Sequence, residues 1–466
     1  MVVLQLLFTA LSGAIFSFSF KPIGLWFAAP VAFALLFHQL RSKRFPVLHA
    51  VLFAFVANLI ILSWTSTFVG ATPWLLLVFL QSIFYIPLGI ASQFSKQIPL
   101  YIFVIIVYES LKSRFPLGGF GWTRIAFSQV ESPLAPLVSI LGVTALSAAT
   151  LVTSYAIVER NKFALLLLMI TLLVAQFSLS PALTKDSIRV RAIQGGVPER
   201  GLEFNARAME VLDNHIEVTL SEMNGEEDLF IWPENAIDVD PIENPVVAQK
   251  IRVLAEQINT PLLAGAILDN EKLLNTTLLF DANGKAESIY VKRYLTPFGE
   301  YIPLRSIAEK ISSDTDRVTD FSSGDRLIVH KVGVANVGSV ICYEILNDGL
   351  VREMAMNSDF LVVHTNSATF SGSSEGEQQL AITRLRALET GKSIVSISTT
   401  GPSAIIDSTG VVKERSVDGQ MGSVSAQIDI TNDQTLASQL GGFGEISVLL
   451  FLILWSSISV VKGRNL

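Results

Sequence analysis

The only cysteine of this 466-residue chain, Cys342, closes the apolar run Val340-Ile341 and is followed by Tyr343 and Glu344. A thiol has an ordinary pKa of about 8.5 and is mostly protonated at neutral pH. To act as a nucleophile it needs a base or a cation beside it. Candidates stand at the ends of other apolar runs. Glu234 follows Asp228-Leu229-Phe230-Ile231-Trp232-Pro233, Lys292 follows Ser288-Ile289-Tyr290-Val291, and Glu300 closes Pro297-Phe298-Gly299. A charge beside a run that would normally be core is costly unless it is paired or used. Together the set suits a cysteine nucleophile: a carboxylate can take the thiol proton, and an ammonium can hold the thiolate and face the oxyanion of a tetrahedral intermediate. The structural alternative stays open, because an unpaired cysteine commonly behaves as a small buried hydrophobe. Glu389 shares a helical stretch with Arg384 and Arg386 and reads equally as part of a solvated ion-pair face. Glu344 would share a face with Cys342 if the strand continued, and would orient backbone groups if the strand ended there.

The elements that must position these residues begin near Ser187. The pattern predicts strands at Ser187–Ile193 and Leu229–Trp232, with a helix over Leu202–Leu220 between them. A helix over Pro245–Ile258, a strand Leu262–Leu268 and a hairpin of Leu274–Phe280 with Ala286–Val291 about Asn283-Gly284 follow. Beyond them come strands Leu327–Val329 and Gly333–Cys342, helix Asp348–Asn357, strand Phe360–His364 and helix Glu375–Thr390. The series ends with strands near Ser393–Ser398, Ser403–Ile406 and Gly422–Ile428. Short strands separated by helices imply an α/β domain whose sheets are covered by helices. Two stretches are poor in regular pattern, Tyr294–Asp325 and Thr365–Gly376, and such stretches in a compact domain are commonly functional.

Residues 1–180 are a different material. They hold ten Lys or Arg against three acidic residues and no Asp, whereas residues 181–444 hold 22 basic against 37 acidic residues. Apolar runs at Val2–Phe20, Leu25–Leu40, Val47–Phe68, Pro73–Ser92, Leu100–Leu111, Pro133–Val158 and Phe163–Leu179, with an eighth at Ile446–Val461, approach the roughly 20 residues that cross a bilayer. The first has no cationic start or small-residue exit and reads as a retained helix rather than a cleaved signal. Basic residues at 41–44, 96, 160–162 and 462–464 fall in alternate loops. By the positive-inside rule this puts both termini in the cytoplasm and residues 181–444 outside. The connector from Lys112 to Gln129, with Trp122 and Arg124, breaks that bias and suits either a re-entrant loop or a plain interfacial turn.

One cysteine excludes an intramolecular disulfide, and the five histidines form no metal-binding spacing, so no metal or cofactor is expected. The acidic domain lacks the basic stripe of a nucleic-acid binder.

The runs Trp232-Pro233-Glu234-Asn235-Ala236, Lys292-Arg293-Tyr294-Leu295-Thr296-Pro297-Phe298-Gly299-Glu300-Tyr301-Ile302-Pro303 and Ile341-Cys342-Tyr343-Glu344 together resemble the bacterial apolipoprotein N-acyltransferases. The likeness extends to Ala192–Gly195, to Arg384–Gly391 and to the connector ending Phe127-Ser128-Gln129. It departs at Gly196, where the family commonly has Asn, and in Thr365–Phe370, which lacks the family's tryptophan. The resemblance implies a polytopic α-helical membrane domain at 1–180, an extracytoplasmic nitrilase-like α-β-β-α sandwich at 181–444, and an eighth helix with a cytoplasmic tail at 445–466, in the cytoplasmic membrane. It implies Glu234 as general base, Lys292 as stabilising cation and Cys342 as nucleophile, with Glu300, Tyr343, Glu344 and Glu389 in support. An acyl chain would pass from a phospholipid to the cysteine and then to the α-amine of a diacylated apolipoprotein. Arg293, Phe298, Tyr301, Trp122 and Arg124 are the expected contacts to lipid or headgroup. No feature demands a dimer. Two other readings remain open: a membrane-tethered amidase using the same three residues, and a scaffold that keeps the fold without the chemistry.

Overall fold

The computed structural model describes residues 2–42, 44–177, 186–197, 204–309 and 319–464. The chain divides into two compact units. One comprises Met1–Ser180, Ser373–Glu389 and Thr435–Leu466, the other Pro181–Gly372 and Thr390–Gln434.

In the first unit every expected apolar run carries a helix: Val2–Ser17, Ala28–Ser42, Pro46–Ile61, Ala71–Ile83 with Ile86–Phe94, Ile98–Lys112, Val138–Glu159, Lys162–Phe177 and Gly442–Arg464. Ala71–Phe94, Ala135–Glu159 and Gly442–Gly463 are long and apolar enough to cross a membrane, and Val3–Ser17, Pro46–Ile61 and Lys162–Leu173 are shorter apolar helices. Leu4, Leu7, Phe8, Leu75, Phe79, Leu450 and Leu454 are exposed, a surface composition suited to a hydrocarbon solvent. The run expected as one span, Val47–Phe68, breaks after Ile61 into a turn of tighter helix at Ser63–Thr65 and a short helix Ser66–Val69.

The connector is folded into this unit. Residues from Trp122 to Gln129 are all buried. Irregular backbone in an apolar setting must find internal partners. Glu109 Oε1 accepts from the Ile125 N–H at 2.7 Å, and Lys112 Nζ donates to the Thr123 carbonyl and hydroxyl at 3.2 and 2.9 Å.

Among its described residues the second unit has twelve strands: β1 (Ser187–Gln194), β2 (Leu229–Ile231), β3 (Leu262–Asn270), β4 (Lys272–Phe280), β5 (Ala286–Val291), β6 (Val329–Val332), β7 (Ala335–Ile341), β8 (Phe360–Thr365), β9 (Ile394–Ser398), β10 (Ala404–Ile406), β11 (Val412–Arg415) and β12 (Gly422–Asp429). They form two six-stranded sheets, in the orders β12-β1-β2-β3-β4-β5 and β11-β10-β9-β8-β7-β6. The pairs β1/β2, β2/β3, β7/β8 and β8/β9 are parallel, and the outer pairs are antiparallel. Successive side chains alternate between faces. Ile188, Val190, Leu229, Ile231, Leu263 and Leu279 therefore meet Val337, Phe360, Val362, Val395 and Ile405 in a core between the sheets. Phe230, Leu262, Ala264, Leu278 and Phe280 face the other way, onto Leu212, Val218, Val247, Ile251 and Leu254 of helices Phe204–Glu222 and Pro245–Ile258. Helices thus cover sheets that pack face to face, the expected nitrilase-like sandwich.

Two differences from expectation have simple causes. β11 was not anticipated because Lys413, Glu414 and Arg415 leave it no apolar alternation, and it lies on a sheet edge where polar side chains are at home. Residues 373–389 group with the apolar helices, whereas the sequence division runs unbroken from 181 to 444. Trp122 Nε1 donates to Gln378 Oε1 at 2.7 Å. Gln378 Nε2 reaches the carbonyls of Lys21 and Ile61, both at 3.2 Å, and Arg384 pairs with Glu131 at 2.5 Å.

Candidate functional site

Three strand ends in the second unit bring the chemistry together. β2 runs out through Trp232 and Pro233 into Glu234. The turn lies so close to β3 that a Cβ on Gly265 would sit 2.3 Å from the Pro233 carbonyl oxygen and 2.7 Å from Glu234 Cα. Only glycine admits that approach. β5 ends at Val291, and Lys292 next to it donates its N–H to the Asn275 carbonyl of β4 at 2.9 Å. β7 ends at Ile341, and Cys342 opens a single turn of tight helix, Cys342–Leu346, with φ at +48°. A non-glycine residue in that region is strained by about 1–2 kcal/mol. The strand therefore does not continue through the cysteine, which leaves the second of the two alternatives for Glu344.

That glutamate is fully buried, and its carboxylate accepts from the N–H groups of Ile341 at 2.9 Å, Arg293 at 2.7 Å and Tyr294 at 3.2 Å. Tyr290 Oη donates to both of its oxygens, at 2.9 and 3.0 Å. Glu344 so ties the strand leading to Cys342 to the backbone just after Lys292. Burial pushes its pKa up, against the pull of these donors and of Lys292. Burial likewise raises the Tyr343 phenol, with Tyr301 adding to the rise and Lys292 opposing it.

Lys292 is 1 % exposed. Its ammonium lies 2.8 Å from Glu300 Oε2 and 3.3 Å from Glu234 Oε1, and donates to Thr296 Oγ1 at 3.3 Å. Burial alone would lower its pKa. The carboxylates of Glu300 and Glu234, together with nearby Cys342, reverse that effect and hold it well above the ordinary lysine value. Glu300 also accepts the Thr296 N–H at 2.7 Å. Burial would raise its carboxyl, but Lys292 and these donors hold it below the usual range. Asn275, on β4, joins the two acids: its Nδ2 donates to Glu234 Oε1 at 2.8 Å and to Glu300 Oε1 at 2.6 Å. Below this cluster His364 Nδ1 meets the Trp232 carbonyl at 2.8 Å, and its Nε2 meets Ser339 Oγ at 3.3 Å. Burial pushes its pKa down to about 4, although the carbonyl opposes that shift. A neutral imidazole at that position links the end of β2 to β7 and β8.

Glu234, Lys292 and Glu300 thus form one contact group, with Cys342 acting on the same ammonium and Glu344 bracing the turn. Phe298 and Tyr294 are exposed on the loop after Lys292, as is Leu304, and Tyr301 is half-buried. Arg293 pairs with Glu353 at 2.9 Å. Glu389 belongs to the helical unit, where it accepts from the fully buried Arg386 at 2.5 Å, so the pair is not a solvated face. Trp122 and Arg124 are buried in that unit too. Trp122 is held by Gln378, while Arg124 donates to Thr144 Oγ1 at 3.1 Å and lies over the Phe127 ring. In this placement they bind protein instead of facing outward.

Asn275, Thr296 and Tyr290 were missed from sequence. The polar Asn275 inside Leu273-Leu274-Asn275-Thr276-Thr277-Leu278 carried the same signal as Glu234, an amide in a run that should be core. Among the described residues no cluster of metal-ligating side chains occurs.

Residues 12–156 match the apolipoprotein N-acyltransferase N-terminal domain, and residues 189–435 match the carbon-nitrogen hydrolase family. The apolipoprotein N-acyltransferase of Mycolicibacterium smegmatis is 32% identical over 94% of this chain and 83% of its own. That of Photobacterium profundum is 27% identical over 99% and 96%. A solved amidase from a Nesterenkonia species aligns over 56% of this chain and 96% of its own, at 17% identity and a TM-score of 0.42. A helical membrane part joined to a nitrilase-like sandwich, matched along nearly the whole length at this identity, places the chain in the apolipoprotein N-acyltransferase family, the membrane acyltransferases that act on lipoproteins.

Proposed function

We propose that the protein moves an acyl chain from a membrane phospholipid to the α-amino group of a diacylglyceryl-cysteine at the start of an apolipoprotein, through a thioester on Cys342. The observation that supports this reading is one buried ammonium, Lys292, shared by Glu234 and Glu300, with the only thiol of the chain near enough to add to the rise of its pKa.

In the first half-reaction Glu234 takes the Sγ proton as sulfur attacks the ester carbonyl. Negative charge moves from carboxylate to sulfur and then to the carbonyl oxygen. It stays beside the same ammonium throughout, so no isolated charge is created in a poorly solvated site. Lys292 offers mainly its charge, since its N–H groups already have partners. Collapse breaks the ester C–O bond, the proton on Glu234 passes to the departing alkoxide, and a lysophospholipid leaves. In the second half the lipoprotein amine attacks the thioester, Glu234 takes the amine proton, and the sulfur leaves with it. A thioester holds the acyl group while one amphiphile replaces another, which makes the cycle ping-pong. The exposed Tyr294, Phe298 and Leu304 offer an apolar edge for acyl chains, and the chain works as a single copy. Alternating basic loops support a multi-pass arrangement in the bacterial cytoplasmic membrane, with the α/β unit on the outer side.

The test is to incubate purified protein with a synthetic diacyl phospholipid, with and without a diacylated lipopeptide. Triacylated peptide and lysophospholipid are expected. Release of free fatty acid at the same rate with or without peptide would instead identify a hydrolase.

A further inference from the structure

Asn275 spends both N–H groups of its amide on two different carboxylates, Glu234 Oε1 at 2.8 Å and Glu300 Oε1 at 2.6 Å. Carboxylate oxygens only accept, so the NH2 end of the amide must face them. Its own Oδ1 is buried without a hydrogen-bond partner. An amide that leaves its acceptor unsatisfied while both donors are engaged is held there for the donors. Their effect on the two acids differs. Both oxygens of Glu300 are engaged: Oε1 takes Asn275, and Oε2 takes Lys292 and the Thr296 N–H. On Glu234, Oε1 takes both Lys292 and Asn275. No hydrogen bond from the described residues reaches its Oε2.

Resting on the proposed roles of Glu234 and Cys342, we infer that Asn275 is a positioning residue that makes Oε2 of Glu234 the atom that receives the proton. By filling Oε1 it leaves only the second oxygen of Glu234 to take a proton from Sγ or from the incoming amine. By bridging to Glu300 it also holds two like-charged groups on one ammonium, which would otherwise favour the closer acid, Glu300. The proton leaves Sγ, binds Oε2 and departs with the leaving group, while Asn275 remains a donor to the opposite oxygen.

Among the described residues the amide bonds the carboxylates of Glu234 and Glu300, which share the Lys292 ammonium, and this sets the expectation for Asn275→Asp. The replacement keeps the size but cannot donate while ionised, and it adds a third negative charge. Protonation restores one donor. The experiment follows thioester formation on Cys342 by intact-protein mass, in detergent-purified full-length protein with one synthetic diacyl phospholipid. It compares wild type, Glu234→Gln and Asn275→Asp from about pH 8 down to about pH 5.5, with melting temperatures as a control for folding. Asn275→Asp is expected to load about 100-fold more slowly than wild type near pH 8, and the ratio of variant to wild-type rate should recover at least about tenfold on acidification. A wild-type rate at every pH, or a deficit that is the same at every pH, overturns the inference. If Asn275→Asp does not fold, the neutral Asn275→Ser, which cannot span both acids, is expected to lose loading with little change in KM, and a wild-type loading rate overturns the inference. Full loading of Glu234→Gln would remove the base role itself. A dead Glu234→Gln beside a wild-type-like Asn275 variant would remove this inference alone.

Discussion

At the scale of residues, the account divides labour among groups whose surroundings differ. Cys342→Ala and Cys342→Ser remove or weaken the nucleophile, and neither should give transfer product in a lipopeptide acylation assay. Lys292→Ala should fold and lose about 10²–10³ in turnover, the usual cost of deleting an oxyanion-stabilising group. Glu300 offers a test by pH. Its folded carboxyl is held below the ordinary value, because Lys292 and its other donors outweigh burial. Its contribution to stability is therefore present above about pH 4.3, the unfolded glutamate value, and is lost as pH falls through the lower folded pKa. Glu300→Gln should melt below wild type at neutral pH, by less than the about 3–5 kcal/mol of a fully broken buried pair because Glu234 still partners Lys292. The gap should close in strong acid, and thermal melts across pH check it. The charged residues of this group were legible because each ends an apolar run. Asn275 gives only a weaker form of that signal, because a neutral amide in a strand usually finds a local partner, and Tyr290 gives none.

At the scale of elements, geometry at two backbone points matters more than side-chain identity. Cys342 sits at φ +48° where a strand turns into a short helix. In inactive protein Cys342→Gly should be more stable than Cys342→Ala by about 1 kcal/mol, because glycine adopts that conformation without strain. Equal stability in denaturant titration would mean that the turn is relaxed. Gly265 is packed against Pro233 and Glu234. Gly265→Ala should leave a folded unit whose displaced Glu234 no longer supports thioester formation, measurable by intact mass. Strand alternation, the Asn283-Gly284 turn and the helix over Pro245–Ile258 could be read directly, because each is a local pattern. The left-handed cysteine and the glycine contact could not, since both arise from how distant strands approach.

At the scale of the whole molecule, the apolar runs were legible from hydropathy, and helices stand at each of them. The grouping of residues 373–389 with the apolar helices was not, because it depends on Gln378 and Arg384 meeting Trp122, Lys21, Ile61 and Glu131 across more than 240 residues of sequence. The proposed orientation is checked by cysteine placement. In a Cys342→Ala background, Val334→Cys, at a position 75% exposed on the α/β unit, should react with a membrane-impermeant thiol reagent added to intact spheroplasts. Lys462→Cys should react only after lysis. The claim on which the account most depends is that Cys342 carries the acyl group between donor and acceptor. The direct measurement is the mass of the peptide containing Cys342 after the purified protein meets a defined phospholipid without acceptor. The account predicts a mass increase of one acyl chain that hydroxylamine removes, that disappears on adding a diacylated lipopeptide, and that is absent in Glu234→Gln. An unmodified Cys342 in protein that still makes triacylated peptide would contradict it.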